Sequence, residues 1–414
     1  MASFDHSFRH LPFFEALAGM EEDTAEWRAA TGGLVVLRLV DAWFAEGAQV
    51  AAADGWSAKV AREAVESMDD GTPARALLLG VIDALSTGLP SGFNGVAARL
   101  AAYGRALHFD AKWRLAADVY ETLIEYAHPI DEADVYIDAS MQLGYCSRQV
   151  GAWETAESAY QEAGRVASAI GDVVGILRAR IADARLSMSR GNLPRAEQIL
   201  EDSIVRARSE ALPDVEGLAL HERAIVAFDR GEFERSIRYA YSALGKLSGQ
   251  SARDRVLADI ANAFMELGVT STARDAFLVL AATAQEQYTR WTATMNLMEL
   301  SALEGGEPAF EAYRREFENV ELTPFLQVNF HLLAGKGCAR FGRTDRARAE
   351  FVRAIELAAQ HRLNQLLFSA EESLERLERG LVEAERLVGN DASEEVADVA
   401  EIIHSMRELA GVGG

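Results

Sequence analysis

The chain has 414 residues, 49% of them hydrophobic and 25% charged, a balance that folds and buries a sizeable core instead of staying disordered. Its formal net charge of -23 argues against extended contact with phosphate backbones and against an anionic membrane surface, since both need clustered Lys and Arg. Lysine is confined to Lys59, Lys112, Lys246 and Lys336, so nearly all positive charge is arginine. The two cysteines, Cys146 and Cys338, lie far apart in sequence and read as buried small apolar residues, not as a disulfide framework.

The opening stretch MASFDHSFRHLPFFEALAGMEE lacks a basic region followed by an unbroken apolar run, because Glu15 interrupts it. The segment 77–98 carries Asp83 and Pro90 and does not qualify as a membrane span. A cytoplasmic protein is expected. His6 and His10, with Asp5 beside them, share a helix spacing that suits a metal, but no third ligand is evident, and the expected reading is two solvated histidines at a fraying terminus.

Residues 1–95 read as helical hairpins without a clear repeat, packed on the first end of a repeat array or folded separately. Asp23 and Thr24 offer an N-cap, after which Trp27, Leu34, Leu37, Val40, Trp43 and Phe44 recur at helical spacing. Gly32 and Gly33 interrupt this pattern and are expected to split it into two helices. Thr72 and Pro73 open an apolar helix to about Leu85, and Gly88, Pro90 and Gly92 then punctuate the chain.

From Val96 onward, spacing carries the argument. Gly151, Gly191 and Gly231 are 40 apart, and Gly268, Gly305 and Gly342 come at intervals of 37, periods that suit helical repeats. Five residues after most of these glycines stands a small residue: Ala156, Ala196, Ser236, Ala273 or Ala347. Four further on comes Tyr160, Leu200, Ala240, Phe277 or Phe351, and three beyond that Ala163, Ser203, Ala243, Leu280 or Ala354. Small residues let two antiparallel helices approach, and the larger residue a turn later fills the gap to the next pair. The unit before Gly151 keeps Gly104, Ala116, Tyr120 and Leu123, whereas the unit after Gly305 places Phe310 and Arg314 at the small and large sites and must pack differently.

The unit Leu143, Gly144, Gly151, Trp153, Ala156, Tyr160 and Ala163 resembles the tetratricopeptide repeat family, and the 40-residue spacing is similar to the longer-helix repeats of kinesin light chains and bacterial regulator arms. The resemblance covers 96–360, about seven units, and implies an all-α, right-handed α-solenoid of helical hairpins between an N-terminal helical region (1–95) and C-terminal capping helices (361–414). Leu367, Ala370, Leu374, Leu377, Leu381, Ala384 and Val388 form a heptad seam in a long helix over 364–388, although Gly380 sits inside it at roughly 1 kcal/mol relative to alanine. The segment reads as a cap, with homodimerisation through the C-terminal helices as the alternative to a monomer. A last helix over 393–409 is expected to fold back as further cap, or to tether another chain.

No phosphate-binding loop, zinc helix or catalytic constellation is evident: Gly335, Lys336 and Gly337 lack the rest of a phosphate loop, and Ile225 stands where a second histidine would have to follow His221 and Glu222. No cofactor, metal or enzymatic activity is expected. The resemblance implies that side chains about ten, six and three residues before each turn glycine line a concave groove. In this chain these are Met141, Tyr145 and Arg148; Ile181, Arg185 and Met188; His221, Ile225 and Phe228; Ala258, Asn262 and Met265; Leu332, Lys336 and Ala339. Arg105 and His108 extend the row, and Arg178 and Arg255 border it. Arginine mixed with methionine and aromatics suits a peptide or protein segment with carboxylates and apolar anchors. The lysine and asparagine clamp by which some family members hold chaperone tails is not reproduced. The expected function is a non-enzymatic interaction scaffold, the alternative a regulatory sensor whose array changes shape on binding a peptide or small ligand.

Overall fold

A computed structural model describes residues 9–46, 56–87, 93–110, 112–318, 320, 322–361 and 363–381. They contain nineteen helices and no strand. No described helix is long and apolar enough to cross a membrane. The chain divides into two compact units, Met1–Gly191 and Asn192–Gly414.

The first unit holds α1 (Leu11–Ala18), α2 (Ala25–Glu46), α3 (Trp56–Glu66), α4 (Pro73–Thr87), α5 (Phe93–Phe109), α6 (Trp113–Tyr126), α7 (Ala133–Gln149), α8 (Trp153–Ile170) and α9 (Val173–Ser189). The Thr24 hydroxyl accepts a hydrogen bond from the Trp27 amide at 3.2 Å, so the expected cap is in place. The expected break at Gly32 and Gly33 does not occur, because α2 runs through both. A β-carbon at Gly33 would clash with the Tyr103 hydroxyl and the Phe13 ring, so the glycine is there for close approach and not for a bend. One apolar core runs from Phe13 through Leu37, Leu100 and Val119 to Ala179, and so passes without interruption across residue 95.

The second unit holds α10 (Leu193–Ser209), α11 (Pro213–Asp229), α12 (Phe233–Leu244), α13 (Gln250–Glu266), α14 (Thr270–Thr283), α15 (Gln287–Leu303), α16 (Glu307–Arg315), α17 (Pro324–Arg340), α18 (Thr344–Gln360) and α19 (Asn364–Glu378). In both units the helices pack on their sequence neighbours, the arrangement of an all-α solenoid, except at the short α16, past which α15 packs directly on α17. The first helices of successive hairpins also touch one another, α5 with α7 and α7 with α9 in one unit, and α11 with α13 and α13 with α15 in the other. The second helices meet chiefly the first helices of their own and the next hairpin.

The repeat register explains this packing. All six spaced glycines take φ between 71° and 75°, the left-handed turn in which a β-carbon is strained. The small residues after them are buried, Ala156, Ala196, Ala273 and Ala347 completely. Gly144 leaves room for the Tyr160 ring, and Gly104 and Gly335 do the same for Tyr120 and Phe351, each pair 16 residues apart. The divergent unit solves the problem with a different glycine: α16 has only nine residues, and Phe310, fully buried, lies over Gly337 of the next hairpin.

Arginines close several turns. Arg253 donates to the carbonyls of Leu244 and Leu247, and Arg290 to those of Ala284 and Gln285, so each guanidinium satisfies the open carbonyl end of the preceding second helix. The seam expected over 364–388 is not one helix: α19 ends at Glu378, and Gly380 adopts φ 69°. Its apolar residues Ala370, Leu367, Leu374 and Leu377 pack against α17 and α18. Ala384, Val388 and the helix expected over 393–409 lie outside the described residues.

Candidate peptide-binding surface

In the first unit, the layer of first helices carries a contiguous strip of aromatic and cationic side chains. His108 of α5 stacks on Tyr145 of α7, with ring centroids 4.5 Å apart and planes at 21°. Trp113, at the start of α6, meets both rings edge-on, at 4.8 Å and 5.8 Å. The Arg148 guanidinium lies 5.1 Å from the Tyr145 centroid and donates from Nη1 to the Ser189 hydroxyl at 3.1 Å, which ties α7 to α9. Its Nε has no hydrogen-bond partner.

Electrostatics suits this stack. Burial holds the His108 pKa below the usual histidine range, opposed by a hydrogen bond with Gln142, so the ring is neutral when it stacks. Burial raises the Tyr160 phenol, while Arg148 and Arg185 pull it back, which places both cations near that hydroxyl. Arg105 is exposed, and Met141, Arg185 and Met188 are half-buried. Ile181 is 7% exposed and belongs to the core. Arg178, one of the expected border residues, reaches Asp138 at 3.5 Å.

The second unit places its members of the row differently. His221 is 8% exposed, and its Nε2 lies 2.6 Å from Asp259 of the next first helix. Asn262 accepts from Asn296 at 3.1 Å, again across two first helices, and the border residue Arg255 is ion-paired with Glu286 at 3.1 Å. Phe228 meets Phe233 of its own hairpin edge-on at 5.2 Å. Ile225, Ala258, Met265, Lys336 and Ala339 are half-buried, and Leu332 is buried. Within this row, the rings that bridge hairpins and the cation on them therefore gather in the first unit, while the second bridges its first helices by polar pairs.

Sequence spacing did not identify Trp113, Gln142 or Ser189. Trp113, Trp153 and Phe233 all begin a second helix, so an aromatic two residues after a turn was the available signal for the first of these. Ser189 carries no such mark, since its role depends on how α9 lies against α7.

A different cluster was missed altogether. His10, read as solvated, is 3% exposed, with Nδ1 2.9 Å from Asp118 and Nε2 3.0 Å from Asp41. Arg9 pairs with Asp41 at 3.1 Å and Glu125 at 2.7 Å, and the Tyr126 hydroxyl donates to Asp41 at 3.0 Å. Two carboxylates that clasp one imidazolium anchor the start of α1 to α2 and α6. His6 and Asp5 lie outside the described residues, and no cluster of three or more metal-ligating side chains occurs among the described ones.

No family model and no curated protein matches the chain. Among solved structures, it is similar to a circular tandem repeat protein with novel repeat topology and enhanced subunit contact surfaces, at 14% identity over 97% of this chain and 84% of that one, with a TM-score of 0.21. Superposition at that level carries no argument about this chain. Its class, a helical-repeat protein of the α-solenoid type, rests on its own helices and their order of contact.

Proposed function

We propose that the chain is a non-catalytic interaction scaffold, and that the first-helix face of the first unit binds a peptide segment bearing carboxylates beside an apolar or aromatic anchor. The observation that supports this most directly is the grouping of His108, Tyr145, Trp113 and Arg148, drawn from three helices into one stack. Aromatic rings supply contact area at small entropic cost, and guanidinium groups pair with carboxylates through two parallel hydrogen bonds. Arg105 and Arg185 extend the positive character along the strip, against a chain of net charge -23. The expected tetratricopeptide-type groove supports the same reading.

A sensor function is the second reading, supported by the bridging contacts themselves. Arg148 spans α7 and α9 through Ser189, so a ligand carboxylate that draws Arg148 away alters how two hairpins are tied. The direct test is affinity capture with the native chain and with an Arg148→Glu, Arg185→Glu variant. Loss of a specific partner in the variant supports the groove, and unchanged recovery overturns it. Small-angle scattering with and without that partner then separates a rigid scaffold from a sensor.

A further inference from the structure

The helices α6, α7 and α8 begin at Trp113, Ala133 and Trp153, and α10, α11 and α12 begin 80 residues later in each case. The same trio of second, first and second helix therefore occurs once in each unit, in one register. In the second unit, the space between α10 and α12, floored by α11, is filled from within by Arg223. Its side chain is 1% exposed, with Nε 2.9 Å from Glu201, a further hydrogen bond from Nη2 to Glu197, and the guanidinium 4.8 Å from the Tyr239 centroid.

Counting back 80 residues replaces Arg223 by Leu143 and Tyr239 by Ala159. Both side chains are shorter, and the result is a groove of about 430 Å³ between α6 and α8, floored by α7. Its lining includes Ser140, 1% exposed, whose hydroxyl oxygen has no hydrogen-bond partner. Ile124, Leu143 and Ala159 give an apolar passage, and Glu154 and Glu162 of α8 line the same groove. The carboxylates thus come from α8, whereas the second unit supplies them from α10. Glu162 accepts from the Tyr136 hydroxyl at 3.0 Å and from Nη2 and Nε of the exposed Arg165 at 2.6 and 2.7 Å, which leaves a lone pair for a further donor, while the exposed Glu154 supplies the groove's other carboxylate.

We propose that this groove is a docking site for an arginine side chain of a protein partner, its methylene stem against Leu143 and Ala159 and its guanidinium shared between Ser140 and the α8 carboxylates. Three features favour an arginine: the equivalent space in this same chain holds one, the lining is apolar around a buried unpaired acceptor, and the adjacent charge is negative. The site lies among the second helices, apart from the aromatic strip of the first helices, and does not depend on that strip's proposed role.

The test uses the full chain and the probe Ac-Ala-Leu-Arg-Leu-Ala-NH2, with a peptide in which citrulline, neutral and of the same shape, replaces arginine. Binding is followed by amide NMR shifts. Saturable shifts centred on Ser140, Ser158 and Ala159, with the citrulline peptide weaker by about tenfold or more, support the site. Leu143→Arg with Ala159→Tyr rebuilds the filled groove and is expected to abolish the shifts. Glu154→Gln with Glu162→Gln, which leaves the packing intact, is expected to weaken the arginine peptide toward the citrulline value. Equal affinity for the two peptides, shifts elsewhere only, or binding unaffected by both variants overturns the proposal. A concentration-dependent dimer that the filled-groove variant abolishes would assign the groove to a second copy and overturn it as well.

Discussion

Replacing His10 by glutamine tests the buried cluster at the start of the first unit. Burial opposes a charged ring there, but the hydrogen bonds to Asp118 and Asp41 outweigh it and push the pKa up to about 9 from 6.5. The folded chain then keeps a proton that the unfolded chain releases above about pH 6.5. This contribution is complete below that pH and is lost as pH rises through about 9. A displacement of that size corresponds to at most ~3 kcal/mol. Removing the imidazolium also leaves Asp118, 6% exposed, without its cation, a change that breaks buried pairs by ~3–5 kcal/mol. Arg9 still serves Asp41 and Glu125, so the loss falls mainly on Asp118. For a unit of this size ~3 kcal/mol is roughly 6–12 °C in melting temperature. Thermal unfolding of both proteins by circular dichroism, at about pH 6, 7.5 and 9.5, checks this. The gap is expected to be widest near pH 6 and to shrink toward pH 9.5. Glu121 is pushed up to about 7 by desolvation and by Asp118 and drawn down by the His10 charge, so both proteins carry Glu121→Gln, which leaves the ring as the group whose titration separates them. A gap that does not change with pH, or one below ~1 kcal/mol throughout, would refute the reasoning.

The packing sets three further outcomes. Gly337→Ala should destabilise the second unit by ~1–3 kcal/mol in denaturant unfolding, because the added carbon meets the Phe310 ring, and Phe310→Leu in the same chain should recover part of the loss. Arg223→Ala should cost ~2–5 kcal/mol by the same measurement, since it empties a buried site against Tyr239 although Glu197 keeps Arg230 at 2.7 Å, whereas Arg223→Met, which refills that site, should cost clearly less. Cys146 is fully buried and its thiol is pushed up to about 12 by that burial, so it should resist iodoacetamide in the folded chain and react once denaturant is added.

Much of the architecture was legible from residue order alone. A turn that needs positive φ selects glycine, so six glycines at intervals of 40 and 37 marked six hairpin turns. The small and large residues after each turn marked the packed face, since helix approach depends on side-chain size at fixed offsets. Local rules misled at Gly32 and Gly33, where the requirement comes from Met68 and Val65 and from the Tyr103 and Phe13 side chains on other helices; at Phe310 they marked the departure, and its partner, Gly337, came from the next hairpin. Gly380 shows the reverse: the heptad pattern runs through it, but the backbone turns left-handed and the helix ends.

The candidate sites were less legible, because they depend on which side chains meet across hairpins. Spacing nominated Tyr145, His108 and Arg148, but only the lie of α5, α7 and α9 brings them together with Ser189. His10 has its partners 31 and 108 residues away, beyond any periodic signal. Arg223 and Leu143 occupy the same place in their repeats, yet one fills its groove and the other leaves it open. Periodicity reports the side-chain sizes that stack hairpins, because those recur at fixed offsets. Charge partners and cavities arise where the recurrence is broken, and there the tertiary structure decides what a residue touches.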